Sequence, residues 1–578
     1  MYVKETPQKN GSTNIAIVEK YWDSDAKMSR QRTVSGFGSL DELDKKHGDG
    51  RAYVRSICKE LNERKSAEGQ SVLITIHPQE RIEQDGEGVK NIGCAILLHY
   101  YNLLGMERVL RNLTRRHRFA YDVNAVLRLL VSERIIEPGS KLAAWQRRGN
   151  YFFRCDFSDD DVYRSLDILA SSKDAVVAGM NRAIATHHSR NLTDTYYDVT
   201  NYYFEIDDED DLRKNGISKE YRRKPIVQMG LMQDKDNIPI TFNVHPGNTR
   251  DCETMLPAMR QARHDVGARR MVMVADKGLN TSTNIAAITL DGNGFVFSQS
   301  INGTKSSATL RNWVISDEGY RTVADDEGGA DFKMKSRQDV KTVHVIGEDG
   351  KRKDVDIDIK VVAFWSSKYD KRAKRERAKV LEKAKGLIQD TSSYDRATHY
   401  GATKYIKNIT LDKKTGEVLI DAKQAPCIDT DKIAEEEKTD GYYVIITSEY
   451  GLADERIIEI YRGLWRIEEA FKVTKSYLAA RPVFVWTPEH IIAHFLICYI
   501  ALTIVRLVQY DTGYRYSAES IIDEIRSMGA VRLEDNWWRL FHRTELSDEL
   551  CRTAGIDLSK KNMQLNEIKS VLAKVKEK

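Results

Sequence analysis

Residues 271–275 read MVMVA, without a polar side chain in the run. A strand made of them has nothing to offer water on either face, so both faces are expected to be covered. The flanking pattern supplies the cover. Residues 193–206, TDTYYDVTNYYFEI, read as an aromatic-rich strand, and 225–247, PIVQMGLMQDKDNIPITFNVHPG, as two strands about a tight turn at KDN. A helix over 251–267 precedes MVMVA; a helix over 281–294 and the strand FVFSQSI follow it. Three antiparallel strands followed by alternating helix and strand make a mixed α/β sheet.

The rest of the chain is arranged around this segment. Residues 14–36 read as two strands about a DSDAK turn, followed by a helix from about 39 to 64. Helical apolar spacing runs from about 89 to 190, as in AILLHYYNLLGMERVLRNL and YDVNAVLRLLVSERI, the latter stopped by EPGS. Ser158 and the acids after it form a helix start. Residues 301–440 are polar and strand-rich, with hairpin signals at GEDGK and DKKTGE and a basic helix over 368–385. They read as a β-rich domain inserted into the α/β core. The strand DGYYVIITSE and the helix YRGLWRIEEAFKVTKSYL, residues 461–478, then return to it. The expected regions are thus 1–190, a β-hairpin plus helical and DNA-binding part; 191–300, the first part of the core; 301–440, the insertion; 441–510, the second part of the core; and 511–578, a helical C-terminal region.

Apolar content of 41% and charged content of 30% describe a soluble globular chain, and a net charge of +4 confines any nucleic-acid surface to a local patch. Seven scattered cysteines without a C-x-x-C pair suit a reducing compartment, and a cytoplasmic, nucleoid-associated location is expected. The N-terminus MYVKETPQKNGS has no apolar signal region. The run 491–508, IIAHFLICYIALTIVRLV, carries His494 and Arg506 and reads as a buried core helix, not a membrane span. His490, His494 and Cys498 fall at zinc-like spacing there, but no fourth ligand is near and the neighbours are apolar. No Walker loop, nucleophile elbow or H-E-x-x-H motif is present.

Three acids stand out. Asp198 lies within an aromatic strand, where an unpaired carboxylate is costly. Asp276 ends MVMVA, and ligands bind at the carboxyl ends of strands in open α/β sheets. Glu468 lies on the 461–478 helix, on a face shared at intervals of seven with Tyr461 and Lys475. Each has a plainer reading: a turn cap for Asp276, an arginine partner for Asp198, an ordinary helix surface for Glu468. Together, an acid on the first strand, one after the fourth and one on a late helix form the layout of an RNase H-like nuclease site. Three carboxylates there hold two metal ions roughly 3.5–4 Å apart.

In order along the chain, YYDVTNYYFE, PGNTRDCETM, VADKGLN, and DGYYVIITS with the helix after it resemble the blocks of a DDE transposase of the IS4 superfamily, closest to the IS1634-type insertion-sequence transposases. RIIEPGSKLA and LGMERVL resemble the same group, as does a β-rich insertion before the Glu. The resemblance implies an RNase H-like fold and a catalytic, metal-binding triad of Asp198, Asp276 and Glu468 with two Mg²⁺ or Mn²⁺ ions. It implies DNA partners, both transposon ends and target, and a homodimer in the DNA complex, with no membrane partner. The implied reaction is binding of terminal inverted repeats, strand cleavage and strand transfer. The alternatives are an RNase H-fold nuclease without strand transfer and a catalytically inactive DNA-binding derivative.

The family helix carries Tyr, Arg, Glu and Lys at Tyr-x2-Arg-x3-Glu-x6-Lys. Here those slots hold Tyr461, Leu464, Glu468 and Lys475, so the arginine is missing. Tyr461 and Lys475 are expected along the DNA, Lys475 about 10 Å from Glu468. On a regular helix Arg462 and Arg466 point roughly 120° and 160° away from Glu468, and solvent or intrahelical pairing is expected for them. Lys472, about 40° off, is the expected substitute phosphate contact.

Overall fold

The structure is a computed structural model describing residues 1–8, 11–23, 28–67, 79, 81, 88–115, 119–190, 192–206, 208–216, 224–302, 307–323, 331–346, 351–389, 401–407, 410–411, 418–419, 427–533 and 536–575. The chain divides into two compact units, Met1–Gly86 and Glu87–Lys578. In the first, strands Tyr2–Pro7, Thr13–Asp23 and Met28–Ser39 form an antiparallel sheet. Ile15 and Ile17 pack with Leu40, Leu43, Val54 and Cys58 of the helices Leu40–His47 and Gly50–Ala67. Two features differ from expectation. A third strand, Tyr2–Pro7, joins the hairpin, and the single helix splits at Gly48, whose φ of 80° only glycine adopts readily. The tip of the DSDAK turn, 24–27, lies outside the described residues, as do GEDGK up to residue 350 and DKKTGE.

The second unit is built on a mixed sheet. From one edge its strands run Arg321–Val323, Phe332–Ile346, Arg352–Ser366, Tyr442–Thr447, Gly294–Ser298, Val272–Ala275, Thr195–Tyr203, Ile226–Gln233 and Pro239–Pro246. Val272–Ala275 pairs in parallel with both neighbours; the other pairings are antiparallel. The MVMVA run is buried throughout and split between two cores. Val272 and Val274 face Tyr196, Tyr202 and Val296, beneath helices that carry Ile457, Ile467, Phe471 and Phe495. Met273 and Ala275 face Tyr197, Val199 and Phe297, beneath Met255, Met259 and Ile285.

The region expected as an inserted domain joins this same sheet. Residues 360–365 pair with 442–447, and the outer half of the Phe332–Ile346/Arg352–Ser366 hairpin packs on the helix Ser282–Leu290. The basic helix forms as expected, over Ser367–Gln389. The helices between Cys94 and His187 share the main core with the sheet, so the expected 1–190 region is divided at Gly86. The C-terminal stretch is not wholly helical: strands Gly529–Arg532, Trp537–Leu540 and Asn562–Gln564 form a small sheet with Lys90–Asn91. That pairing ties the chain end to the start of the second unit.

The helix Pro488–Asp511 opens on a Thr487 cap and runs through the core, with 94% of its most apolar window buried. Some of its polar groups pair internally. Arg506 pairs with Glu469 at 3.0 Å and with Gln509 at 2.7 Å. His494 is no zinc ligand, because its Nδ1 accepts from Lys141 at 3.1 Å and its Nε2–H donates to the Ala480 carbonyl at 3.0 Å. His490 instead meets Asp167 at 3.1 Å. Burial, with Arg134 nearby, lowers the Lys141 ammonium to about 7. The folded chain therefore releases this proton far more readily than the unfolded chain. Stability from this group is fully present above about 10.5 and is lost as pH falls toward about 7. Lys141→Met is expected to raise the melting temperature at pH 7 and to flatten its rise between pH 7 and 10. Thermal melts across that range check this; a lower melting temperature at pH 7 would contradict it.

Candidate active site

The parallel register aligns Thr195 with Met273 and Tyr196 with Val274. Two residues further along each strand stand Asp198 and Asp276, at the carboxyl end of the sheet. Side chains alternate along a strand, so both aspartates continue the face of Tyr196 and Val274, which packs under the helix bearing Ile467 and Phe471. Asp198 is half-buried, and its Oδ1 accepts from the Val199 N–H at 2.7 Å. Asp276 is exposed just beyond its strand, and its Oδ1 accepts from Ser298 Oγ at 2.8 Å. Glu468 is exposed on the helix above the same face.

That helix is not the continuous rod expected over 461–478. One helix ends at Arg462 and another runs Trp465–Lys472, with a wider π turn over Val473–Tyr477. Between them Leu464 N–H reaches the Tyr461 carbonyl at 3.0 Å and Ile467 N–H the Leu464 carbonyl at 3.2 Å, bonds of three-residue span that overwind the chain. After Lys472 the Leu478 N–H reaches back five residues to the Val473 carbonyl, which underwinds it. Tyr196 explains the break. Its hydroxyl donates to the Ile460 carbonyl at 3.2 Å, and its ring lies where a side chain at Gly463 would sit. A Cβ there would come within 2.6 Å of Tyr196 Cζ.

Tyr461 and Lys475 still reach the acids, by a different route from a regular helical stripe. The Tyr461 hydroxyl lies near Ser298 and senses the charges of both Asp276 and Glu468. Ser298 gives its proton to Asp276. Burial first, and then the nearby Asp276, Tyr443 and Glu468, push this phenol above its usual range, so it stays protonated at neutral pH. Lys475 sits in the π turn; its Nζ donates to Thr200 Oγ1 at 2.7 Å and lies 5.3 Å from the Tyr202 ring centre. Thr200 is two residues beyond Asp198, on the same face. Lys472 is exposed, 5.8 Å from the Tyr477 ring centre.

The two arginines expected in solvent or in intrahelical pairs have other places. Arg462 lies over the Phe332 ring at 4.9 Å, and Arg466 donates to the Lys235 carbonyl at 2.9 Å. Leu464 is half-buried against the main core. Leu464→Arg is therefore expected to cost roughly 1–3 kcal/mol of stability, by forcing a charge toward apolar surroundings. A thermal melt unchanged by the substitution would instead place position 464 on an open surface. Arg372, from the basic helix Ser367–Gln389, meets Glu376 at 2.7 Å and feels the charge of Glu468 more weakly. The sequence shows this helix as basic, with nothing in it that links the helix to Glu468.

A cleft of about 660 Å³ opens beside these groups, lined by Asp276, Lys277, Ser298, Tyr443 and Tyr461 among others. Three carboxylates around one strand end form an oxygen-only donor set, which suits a hard divalent cation. Among the described residues no three His, Cys, Asp or Glu side chains are gathered closely enough to hold such an ion. Like charges repel without a counter-charge between them, and the exposure of Asp276 and Glu468 leaves both able to move inward.

No curated protein matches the chain. A family model, the transposase DDE domain, matches residues 208–504, just over half of the chain. The match contains Asp276 and Glu468 and begins shortly after Asp198. The chain therefore belongs to the transposase DDE domain family.

Proposed function

We propose that the chain is an insertion-sequence transposase of the IS4 superfamily, IS1634-type, which binds terminal inverted repeats, cleaves at their ends and joins those ends to target DNA. The observation that carries this is the parallel register of the two aspartate strands beneath the helix of Glu468. An acid on the first strand of the core, one after the fourth and one on a late helix support an RNase H-like arrangement. Asp198, Asp276 and Glu468 would hold two divalent ions, Mg²⁺ or Mn²⁺. Such ions, when bound, stabilise charge on a phosphodiester and make water a nucleophile at neutral pH.

The chain's own groups divide the remaining work. Ser298 fixes one oxygen of Asp276, leaving the other free. The protonated Tyr461 phenol can donate to a phosphate oxygen, and Lys475, held by Thr200, supplies a fixed positive charge beside Asp198. Arg372 supplies a cation whose charge reaches Glu468, where the family pattern has its arginine on the helix itself. Two ends must be joined in one reaction, so a homodimer is proposed for the DNA complex.

The test is a donor plasmid carrying the element's own flanking ends, incubated with the protein, Mg²⁺ and a target plasmid. Joined donor–target products are expected. Cleavage without joining would favour the nuclease alternative, and end binding without cleavage the inactive derivative.

A further inference from the structure

Lys341 stands on an apolar face. On the strand Phe332–Ile346 it pairs in register with Ile357, beside Val343 and Ile359, in the row that packs on the helix Ser282–Leu290. The other partly buried lysines of this hairpin all have partners. Lys333 donates to Asp317 at 2.6 Å, and Lys360 pairs with Asp454 at 2.8 Å. Lys335 donates to the carbonyls of Trp313, Ser316 and Glu318. Lys341 has no hydrogen bond or ion pair among the described residues, and burial alone lowers its proton affinity. A half-buried ammonium without a counter-charge is costly, so its retention calls for an anion that arrives from outside.

The place for that anion is open. Lys341 lines a cleft of about 620 Å³ together with Lys277, Asn280, Thr281, Gln299 and Ser300. The described residues around this cleft include two cations and no carboxylate. It shares Lys277, Gln299 and Ser300 with the cleft that holds Asp276 and Tyr461, so the two form one continuous trough. Lys277 follows Asp276 directly, is exposed, and has no ion pair among the described residues.

We propose that Lys341 and Lys277 form a phosphate subsite for the DNA backbone, over which one strand passes from Asp276 across the end of the sheet toward the helix Ser282–Leu290. The proposal rests on the transposase reading and adds the path of the strand. It assigns a DNA contact to the outer half of the hairpin, far along the sequence from the three acids.

The experiment uses the full chain and a fluorescein-labelled 30-base-pair DNA duplex, with anisotropy measured from 50 to 200 mM salt. Lys341→Met is expected to weaken binding and to reduce the slope of log affinity against log salt by about 0.9, the value for one lost phosphate contact. The ratio of wild-type to variant affinity should then fall about threefold across that range. In the absence of DNA the variant should melt at the wild-type temperature or above it, because an unpaired charge has been replaced by an apolar chain of similar length. Lys341→Arg should keep most of the binding. An unchanged salt slope in Lys341→Met overturns the subsite, as does a lowered melting temperature in that variant, which would mark a structural lysine. Failure of the wild-type chain to bind the duplex would overturn the transposase reading and the subsite with it.

Discussion

Asp276→Asn is expected to reduce strand cleavage at least about a thousandfold, at the upper end of what removal of one strong electrostatic contributor costs an enzyme. Asparagine has the same shape, and its carbonyl oxygen can still accept from Ser298 Oγ, so the strand end should keep its geometry. On the proposed reading, what is lost is the negative charge that would hold a divalent ion. Asp276 is exposed, so the melting temperature should stay close to wild type. Asp198→Asn and Glu468→Gln should behave in the same way. Cleavage of a labelled inverted-repeat duplex, binding to that duplex and a thermal melt together check all three. Near-wild-type cleavage by any one of them would remove that residue from the site. Loss of DNA binding and of melting temperature by all three would point to a folding role instead.

Gly463→Ala is expected to harm both stability and activity. The added methyl meets the Tyr196 ring, which is almost wholly buried. Overpacking of this kind costs roughly 1–3 kcal/mol. Activity should fall further than stability, because Tyr196 lies two residues before Asp198 while Gly463 begins the turn that leads to Glu468. Pushing the two apart widens the gap between an aspartate and the glutamate. Tyr196→Phe removes the atom nearest the methyl, so adding it to Gly463→Ala should recover part of both losses. Melts and cleavage rates of the two single variants and the double variant check the coupling. Purely additive effects would mean that Tyr196 and Gly463 do not set the helix position together.

What the sequence made legible was local. MVMVA, the aromatic strand around Asp198 and the capped helix starting at Ser158 each carry their pattern within about a dozen residues, and each forms where expected. The break in the catalytic helix was hidden, because its cause is a tyrosine more than 250 positions earlier whose hydroxyl takes the Ile460 carbonyl. Arg462 and Arg466 point away from Glu468 as a regular helix implies, but their partners, Phe332 and the Lys235 carbonyl, come from distant strands and loops that the helix pattern cannot show. The block 301–440 reads as strand-rich, but nothing in its periodicity says whether those strands pair among themselves or along the edge of another sheet. Arg372 was visible as one charge among many on a basic helix. Only the fold brings it within influence of Glu468.

The position of Tyr442–Thr447 between Gly294–Ser298 and Arg352–Ser366 has a consequence for the order of synthesis. The edge of Gly294–Ser298 leaves the ribosome well over a hundred residues before the strand that covers it. At ordinary elongation rates that interval is on the order of ten seconds. Throughout it, Asp198 and Asp276 can exist in a nascent chain that still lacks Glu468, beside an uncovered strand edge that invites wrong pairing. On the proposed reading, a polypeptide released before residue 442 lacks an acid of the site, and its uncovered edge favours aggregation. On the same reading, all three acids are present together only after the last strand of the main sheet and the helix behind it have been made.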